Sequence, residues 1–333
     1  MIEKPGIYDV AEADYHADPC PTPSLSASLV KVLDEFSPYH AWVKHPRLNP
    51  EFEAENKKTF DLGKVSHALL LRDDGARIRR MPSTIADAKG NIRDFTDWKL
   101  GAAKQMREDA YAEGFTPVMA HEFREVERMV AAARMQIDQV EKVEGIRLFK
   151  DGKPEQSMFW IEETPFGPIW CRARLDWLPS LAGIFADYKT TGATANPERA
   201  DRRAVDMGWD IQAAMYRRGI RKVLGVEMPD IRFFAQENFE PFAACPIGFT
   251  HGQLDEVEAT VVWPKICLFA RCLHDCVWPG YPARTCWVDI PAFKIGQREE
   301  RLEREKAVSE TGRAMFDQLA KWQAPHNQKD QAA

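Results

Sequence analysis

Between residues 155 and 190 apolar and polar side chains alternate with a period of two, in three runs parted by turn residues. Residues 155–161 end in strand formers. Thr164-Pro165-Phe166-Gly167 then carries Pro at the second and Gly at the fourth position of a turn. Residues 169–178 form the second run, 179–183 a second turn, and 184–190 the third run. This pattern predicts an antiparallel meander of three strands. One predicted face collects Met158, Trp160, Cys171, Ala173, Leu175, Trp177, Ile184, Ala186 and Tyr188 and belongs to the core. The other collects Glu155, Ser157, Arg172, Arg174, Asp176, Asp187 and Lys189. Phe159, Ile161 and Phe185 share it, so it is expected to be partly covered.

Turn placement fixes an expected register. A first turn centred between Pro165 and Phe166 sets Glu155 opposite Asp176. A second centred between Leu181 and Ala182 sets Asp176 opposite Asp187. The three acids then form a row, which a slip of one residue in either hairpin breaks.

Around the meander the period becomes helical. Ser24-Leu25-Ser26-Ala27-Ser28 before Leu29, Val32, Leu33 and Phe36 predicts a capped helix ending near Ser37-Pro38. Helices are also expected over 60–71, 94–112 and 118–142. Another starts at Asn196-Pro197-Glu198, is interrupted at Gly208 and runs to about Val223. Residues 231–236 read as a strand. Residues 252–276 read as helix with a kink at Pro264, stopped by Pro279-Gly280-Tyr281-Pro282. Residues 297–306 read as a charge-dense helix, and the last eight or so as disordered. The fold class implied is α/β (α+β mixed): a central mixed sheet with an antiparallel meander, flanked by helices. One main domain is expected over 1–295, with a charged helix and tail over 296–333.

A net charge of −6 excludes a globally basic nucleic-acid binder but leaves room for a local basic channel. Local basic clusters stand at Lys57-Lys58, at Arg77 with Arg79-Arg80, and at Arg202-Arg203, Arg217-Arg218 and Arg221-Lys222. Each also suits a solvated helix or loop face. No apolar run follows Met1, and no window approaches the ~20 apolar residues of a membrane span, so a cytoplasmic, non-membrane protein is expected. Seven cysteines, an odd number, fit reduced thiols. The spacing of Cys267, Cys272, Cys276 and Cys286 matches no common zinc or iron–sulfur pattern, and residues 266–273 suit a helix with Cys as a small apolar residue.

Packed carboxylates repel and are costly to desolvate, so a row of them points to a divalent cation and phosphate chemistry. A half-exposed sheet with a solvated charged face would show the same residues. Two helical pairs add to the picture. Gly63 and His67 share one helix face, where Gly permits close approach to a neighbour and His points at it. Gln212 and Tyr216 share another. Either pair alone suits a structural role.

In order along the chain, Gly63…His67, Glu155, Arg174-Leu175-Asp176, Asp187-Tyr188-Lys189 and Gln212…Tyr216 resemble the motifs of the PD-(D/E)XK nuclease superfamily, in its RecB-like branch. The resemblance spans about residues 24–290. The Ser26-Ala27-Ser28 helix and Trp278-Pro279-Gly280-Tyr281 look like the prophage exonuclease VIII (RecE-type) group.

The resemblance implies a metal-dependent deoxyribonuclease. Its metal ligands, for Mg²⁺ or Mn²⁺, would be Asp176, Asp187, the Tyr188 carbonyl and His67. Glu155 would bind the metal directly or through water, and Lys189 would orient the attacking water. Arg174, Gln212 and Tyr216 would hold the DNA. It further implies exonuclease action on duplex ends to give single strands for phage-type recombination, beside a single-strand annealing protein and as a homo-oligomer. An endonuclease or end-repair nuclease on the same fold, or a catalytically idle DNA-binding module, are the competing readings.

Overall fold

The structure, a computed structural model, describes residues 1–53, 61–71, 77–87, 89–180 and 183–320. Strand β1 (Gly6–Tyr8), the short helix α1 (Glu12–His16) and the two-residue strand β2 (Leu25–Ser26) lead into α2 (Ala27–Glu35). Ser26 caps α2 as expected, its side chain accepting from the Leu29 N–H. Such caps contribute about 1 kcal/mol. Helix α3 (Pro38–Lys44) carries Pro in its first turn, and α4 (Asp61–Leu71) bears His67. The expected start of that helix at Phe60 lies outside the described residues, as do Lys57-Lys58 and the terminal residues 321–333.

The helix expected over 94–112 is shorter. Strands β3 (Ile78–Arg80), β4 (Thr84–Ala86) and β5 (Ile92–Asp94) come first, and α5 begins only at Gly101, running Gly101–Ala112. The cause is local. The Asp87 carboxylate accepts from the Lys89 and Asn91 N–H groups, which closes a turn and pairs β4 with β5. Strand β6 (Thr116–Val118) pairs with β3, and α6 (Ala120–Glu144) fills the helix expected over 118–142, ending at Gly145 with φ 72°.

The meander is present as β7 (Gly152–Thr164), β8 (Gly167–Pro179) and β9 (Ile184–Thr191). Helices α7 (Pro197–Asp206) and α8 (Trp209–Leu224) form the crossover to β10 (Asp230–Glu237), which is parallel to β9 as such a connection permits. Asn196 caps α7, and Gly208, at φ 74°, separates the two helices as expected. Strand β11 (Ala244–Ile247) completes the order β1-β7-β8-β9-β10-β11, with β2 pairing β8, so the central sheet is mixed. Helix α8 lies close on the sheet because Gly219 meets Met158 and Trp160. A Cβ there would come within 2.8 Å of the Trp160 ring.

Both faces of the sheet are covered. One core cluster joins Met158, Trp160, Leu175, Phe185 and Phe233 to residues of α2, α8 and the later helical residues Ile266, Phe269 and Ala270. Another joins Trp177, Ala186, Tyr188 and Phe234 to α6. This corrects the expected alternation. Leu175 and Trp177, two residues apart, pack in different clusters, and Phe185 shares a cluster with Leu175 whereas Ala186 does not. The strand changes face between them, at Asp176, which period-two counting cannot register.

After α9 (His251–Val257) a π-helical turn, Glu258–Val262, precedes α10 (Trp263–Asp275). The irregularity expected at Pro264 therefore falls one turn earlier, and Pro264 sits in the first turn of α10, where its missing N–H is harmless. The π turn carries Glu258, which pairs with Arg217 and Arg221 of α8. The chain divides into two units, Met1–Gly280 and Tyr281–Ala333. The second contains α11 (Ala292–Ala320), longer than the expected 297–306. Among the described residues no helix is long and apolar enough to cross a membrane.

Candidate active site

The β7–β8 ladder holds one register on both sides of Glu155: Pro154 pairs with Trp177 and Gln156 with Leu175. That places Glu155 opposite Asp176, as expected from the turn. Glu155 itself has φ 55°, a left-handed conformation unusual for a residue with a Cβ. On the other side Trp177 pairs with Ala186, so Asp176 and Asp187 lie one step along the same register. The turn residues Leu181 and Ala182 are outside the described set.

Helix α4 delivers His67 between two of the acids. Its Nδ1 lies 3.0 Å from Glu155 Oε1 and its Nε2 lies 2.8 Å from Asp176 Oδ2. The ring stacks on Tyr188, with centroids 5.9 Å apart. Burial alone would lower the imidazole pKa. The charge and hydrogen bond of Asp176, then those of Glu155, outweigh it and raise His67 to about 11. The expected close approach at Gly63 is looser than predicted: a Cβ there would sit at an ordinary 3.4 Å from Thr190 Oγ1.

Asp176 and Asp187 differ although both are buried carboxyls. Burial pushes Asp176 up, but His67, Lys189 and the Tyr188 N–H, 2.7 Å from Oδ2, together hold it below the usual carboxylate range. Asp187 is only 1% exposed, and burial together with the nearby Asp176 charge raises it to about 6. Lys189 Nζ lies 2.6 Å from Asp187 Oδ1. Burial would neutralise that ammonium, but Asp187, Asp176 and Glu155 keep it charged, its pKa above the ordinary value.

Helix α8 holds the other oxygen of Asp187. The Gln212 amide donates to Oδ2 at 2.8 Å and to the Tyr216 hydroxyl at 2.7 Å. That hydroxyl has one proton to share between the Arg174 carbonyl at 2.6 Å and Asp187 Oδ2 at 3.0 Å. Tyr216 is buried, with 4% exposed. Burial and the adjacent Asp187 raise its pKa well above the ordinary value, so it is a neutral donor. Gln212 and Tyr216, expected to hold DNA, here donate to a carboxylate of the site. Arg174 is likewise turned inward. It donates from Nε to Glu155 Oε2 at 2.6 Å and from Nη1 to the Val10 carbonyl at 2.6 Å and Ser157 Oγ at 3.0 Å. Sequence reasoning missed Val10 and Ser157 as the anchors of Arg174. A backbone carbonyl leaves no trace in residue type.

All of the expected site residues converge. Among the described residues one group of metal-ligating side chains lies close enough to hold an ion: His67, Glu155 and Asp176, with one ligand atom of each within 4.8 Å of the others. Asp187 is adjacent but engaged by Lys189, Gln212 and Tyr216. Two carboxylates and one imidazole suit a hard divalent cation that accepts oxygen ligands with some nitrogen, such as Mg²⁺ or Mn²⁺. The doubly paired His67 occupies, as an imidazolium, the electrostatic place such a cation would take. Elsewhere the basic pair Arg217-Arg218 is structural. Arg217 is fully buried against Asp255 and Glu258, and Arg218 is paired with Glu162. Cys272 is buried and Cys267 half-buried on α10, while Cys276 and Cys286 are exposed.

Comparisons with known proteins concern the family and the fold. The model of a family described as a PDDEXK-like domain of unknown function (DUF3799) matches residues 26–287. No curated protein matches. Among solved structures, the chain is similar to a protein described as a "Putative exonuclease" from Eubacterium rectale. The TM-score is 0.51 and the identity 15%, covering 86% of this chain and 98% of that one. At that identity the likeness concerns the fold. The structure of SSO0001, at 8% identity and TM-score 0.22, covers 61% of this chain and 86% of its own, and carries no weight.

Proposed function

The chain belongs to the PDDEXK-like family DUF3799, within the PD-(D/E)XK superfamily, and from that premise we propose that it is a divalent-metal-dependent DNA exonuclease. The observation that carries this reading is the convergence of His67, Glu155 and Asp176 beside Asp187 and Lys189. The donors that would hold Mg²⁺ or Mn²⁺ are Asp176, Glu155, His67, Asp187 and the Tyr188 carbonyl. When bound, such an ion lowers the pKa of water and offsets charge on the phosphate.

The chain's own groups do the remaining work. Lys189 has three N–H donors, and Asp187 engages one of them. The others would orient an attacking water and offset charge developing on the phosphate oxygens. Gln212 and Tyr216 fix the Oδ2 side of Asp187, so its orientation does not depend on ligand. Arg174 fixes Glu155 and the Tyr188 N–H fixes Asp176, so His67 can give up its proton without either neighbour losing its position.

The finer assignment rests on the resemblance of Ser26-Ala27-Ser28 and Trp278-Pro279-Gly280-Tyr281 to the RecE-type group. It is attack from duplex ends, leaving single strands for phage-type recombination, by a homo-oligomer working beside a single-strand annealing protein. Linear duplex labelled at its 5′ or 3′ ends, digested with Mg²⁺ beside covalently closed circles, tests it. The expected result is loss of label from one kind of end and intact circles. Cleavage of the circles at the rate of the linear duplex would make the enzyme an endonuclease instead.

A further inference from the structure

Gln236 is a fully buried amide that the proposed chemistry does not use. It stands on β10 two residues beyond Phe234, the partner of Tyr188 on β9, so its side chain leaves the sheet on the same face as both. That face is otherwise apolar: Phe234 and Tyr188 pack there with Met129, Val130 and Phe242. A polar group in such a place is costly unless every donor and acceptor is paired. The Gln236 amide nitrogen donates to the Met129 carbonyl of α6 at 2.9 Å and to the Phe242 carbonyl at 3.0 Å. Both N–H groups are thus spent on carbonyls, which fixes the end of the amide that is oxygen. That oxygen accepts from the Tyr188 hydroxyl at 2.6 Å.

The Tyr188 ring, held at its hydroxyl, is the surface on which the His67 ring lies, with centroids 5.9 Å and planes 29° apart. Phe234 packs on the same tyrosine ring, with centroids 6.2 Å apart. His67 needs a support of this kind. Its two nitrogens face Glu155 and Asp176, and a nitrogen that ligates a cation has neither a proton nor that partner. The remaining hydrogen bond does not define the ring plane, whereas a fixed aromatic neighbour does. We propose that Gln236 and Tyr188 are positioning residues, through which α6 and β10 set the plane of the His67 ring for a bound cation. Partners that orient a ligating histidine from behind commonly matter to metal affinity almost as much as the ligand.

The inference rests on the reading of His67 as a ligand of the nuclease site, and its test separates the two. The full chain, labelled with ¹³C-histidine, is compared as wild type, Gln236→Met, Tyr188→Phe and the double variant. In EDTA the His67 ring resonance, identified by its loss in His67→Gln, reports the placement of the ring without metal. Isothermal titration then gives the Mn²⁺ affinity of each protein. The hydrogen bonds of Gln236 go to Tyr188, Met129 and Phe242, so its substitution reaches His67 through Tyr188. The expected result is a moved His67 resonance in both single variants and Mn²⁺ binding weakened about tenfold in each. The double variant binds no more weakly than Tyr188→Phe, because the anchor is already lost. Tyr188→Phe keeps the ring and removes one oxygen, so it folds even where Gln236→Met, which deprives two carbonyls of a donor, does not. An unmoved resonance in Tyr188→Phe overturns the proposal. So do additive losses in the double variant, or unchanged Mn²⁺ affinity beside a lower melting temperature, which a purely structural bond would give. Should wild type bind no Mn²⁺, the nuclease reading fails. The metal-free resonance then decides by itself whether Gln236 and Tyr188 place His67.

Discussion

Replacing Tyr216 by Phe removes a single oxygen and separates two roles for α8. In the structure that oxygen receives the Gln212 amide and shares its proton between the Arg174 carbonyl and Asp187 Oδ2. A hydrogen bond to a charged group contributes about 1.5–3 kcal/mol, and one pKa unit is 1.36 kcal/mol, so full loss would raise Asp187 by about 1–2 units. The proton is shared and Gln212 remains, so about one unit is expected. Asp187 is already raised to about 6. The pH below which protons displace a cation therefore moves from about 6 towards 7, and at pH 6.5 affinity for Mn²⁺ falls several-fold. Isothermal titration with Mn²⁺ from pH 6 to 8, on DNA-free Tyr216→Phe and wild type, measures this. DNA affinity in EDTA stays unchanged. Unaltered Mn²⁺ titrations together with weakened DNA binding would refute the reasoning and return Tyr216 to a DNA-contacting role.

Two other outcomes follow from the same geometry. The folded-state pKa of His67, raised to about 11 against 6.5 when unfolded, gives stability that is complete below pH 6.5 and lost as pH rises towards 11. In EDTA the melting temperature of wild type should thus fall between pH 7 and 9.5, and that of His67→Gln should fall much less. Parallel slopes would show that His67 is not held as an imidazolium. Gly219→Ala drives a methyl into Met158 and Trp160, an overpacking that costs about 1–3 kcal/mol, seen as a lower midpoint in urea. An unchanged midpoint would mean that α8 is not tightly seated on β7.

The meander and its register were legible because turn chemistry and period-two alternation are local signals. Thr164 pairs with Gly167 around Pro165-Phe166, and the ladder carries that register through to Pro154. The face change at Asp176 was not legible. It depends on how β8 parts from β9 under two different helix layers, and no residue type announces it. The same limit applies to Glu155, whose left-handed backbone carries no glycine to mark it. The motif spacing identified Gln212 and Tyr216 but not their direction. That follows from the parallel β9–β10 crossover, which lays α8 over Asp187. The short strands β1, β2 and β11 were missed because two to four residues give too little pattern to count. Likewise the long charged stretch before Gly101 hid a hairpin closed by Asp87.

Release of nucleotides from linear duplex over a Mg²⁺ titration, wild type against Asp187→Asn, bears most directly on the nuclease site. The substitution keeps the shape of the side chain and removes the charge that Lys189, Gln212 and Tyr216 converge on. Wild type is expected to degrade the duplex in a Mg²⁺-dependent way, and the variant to lose about 10²–10³-fold or more at every Mg²⁺ concentration. Equal rates for the two proteins would contradict that expectation.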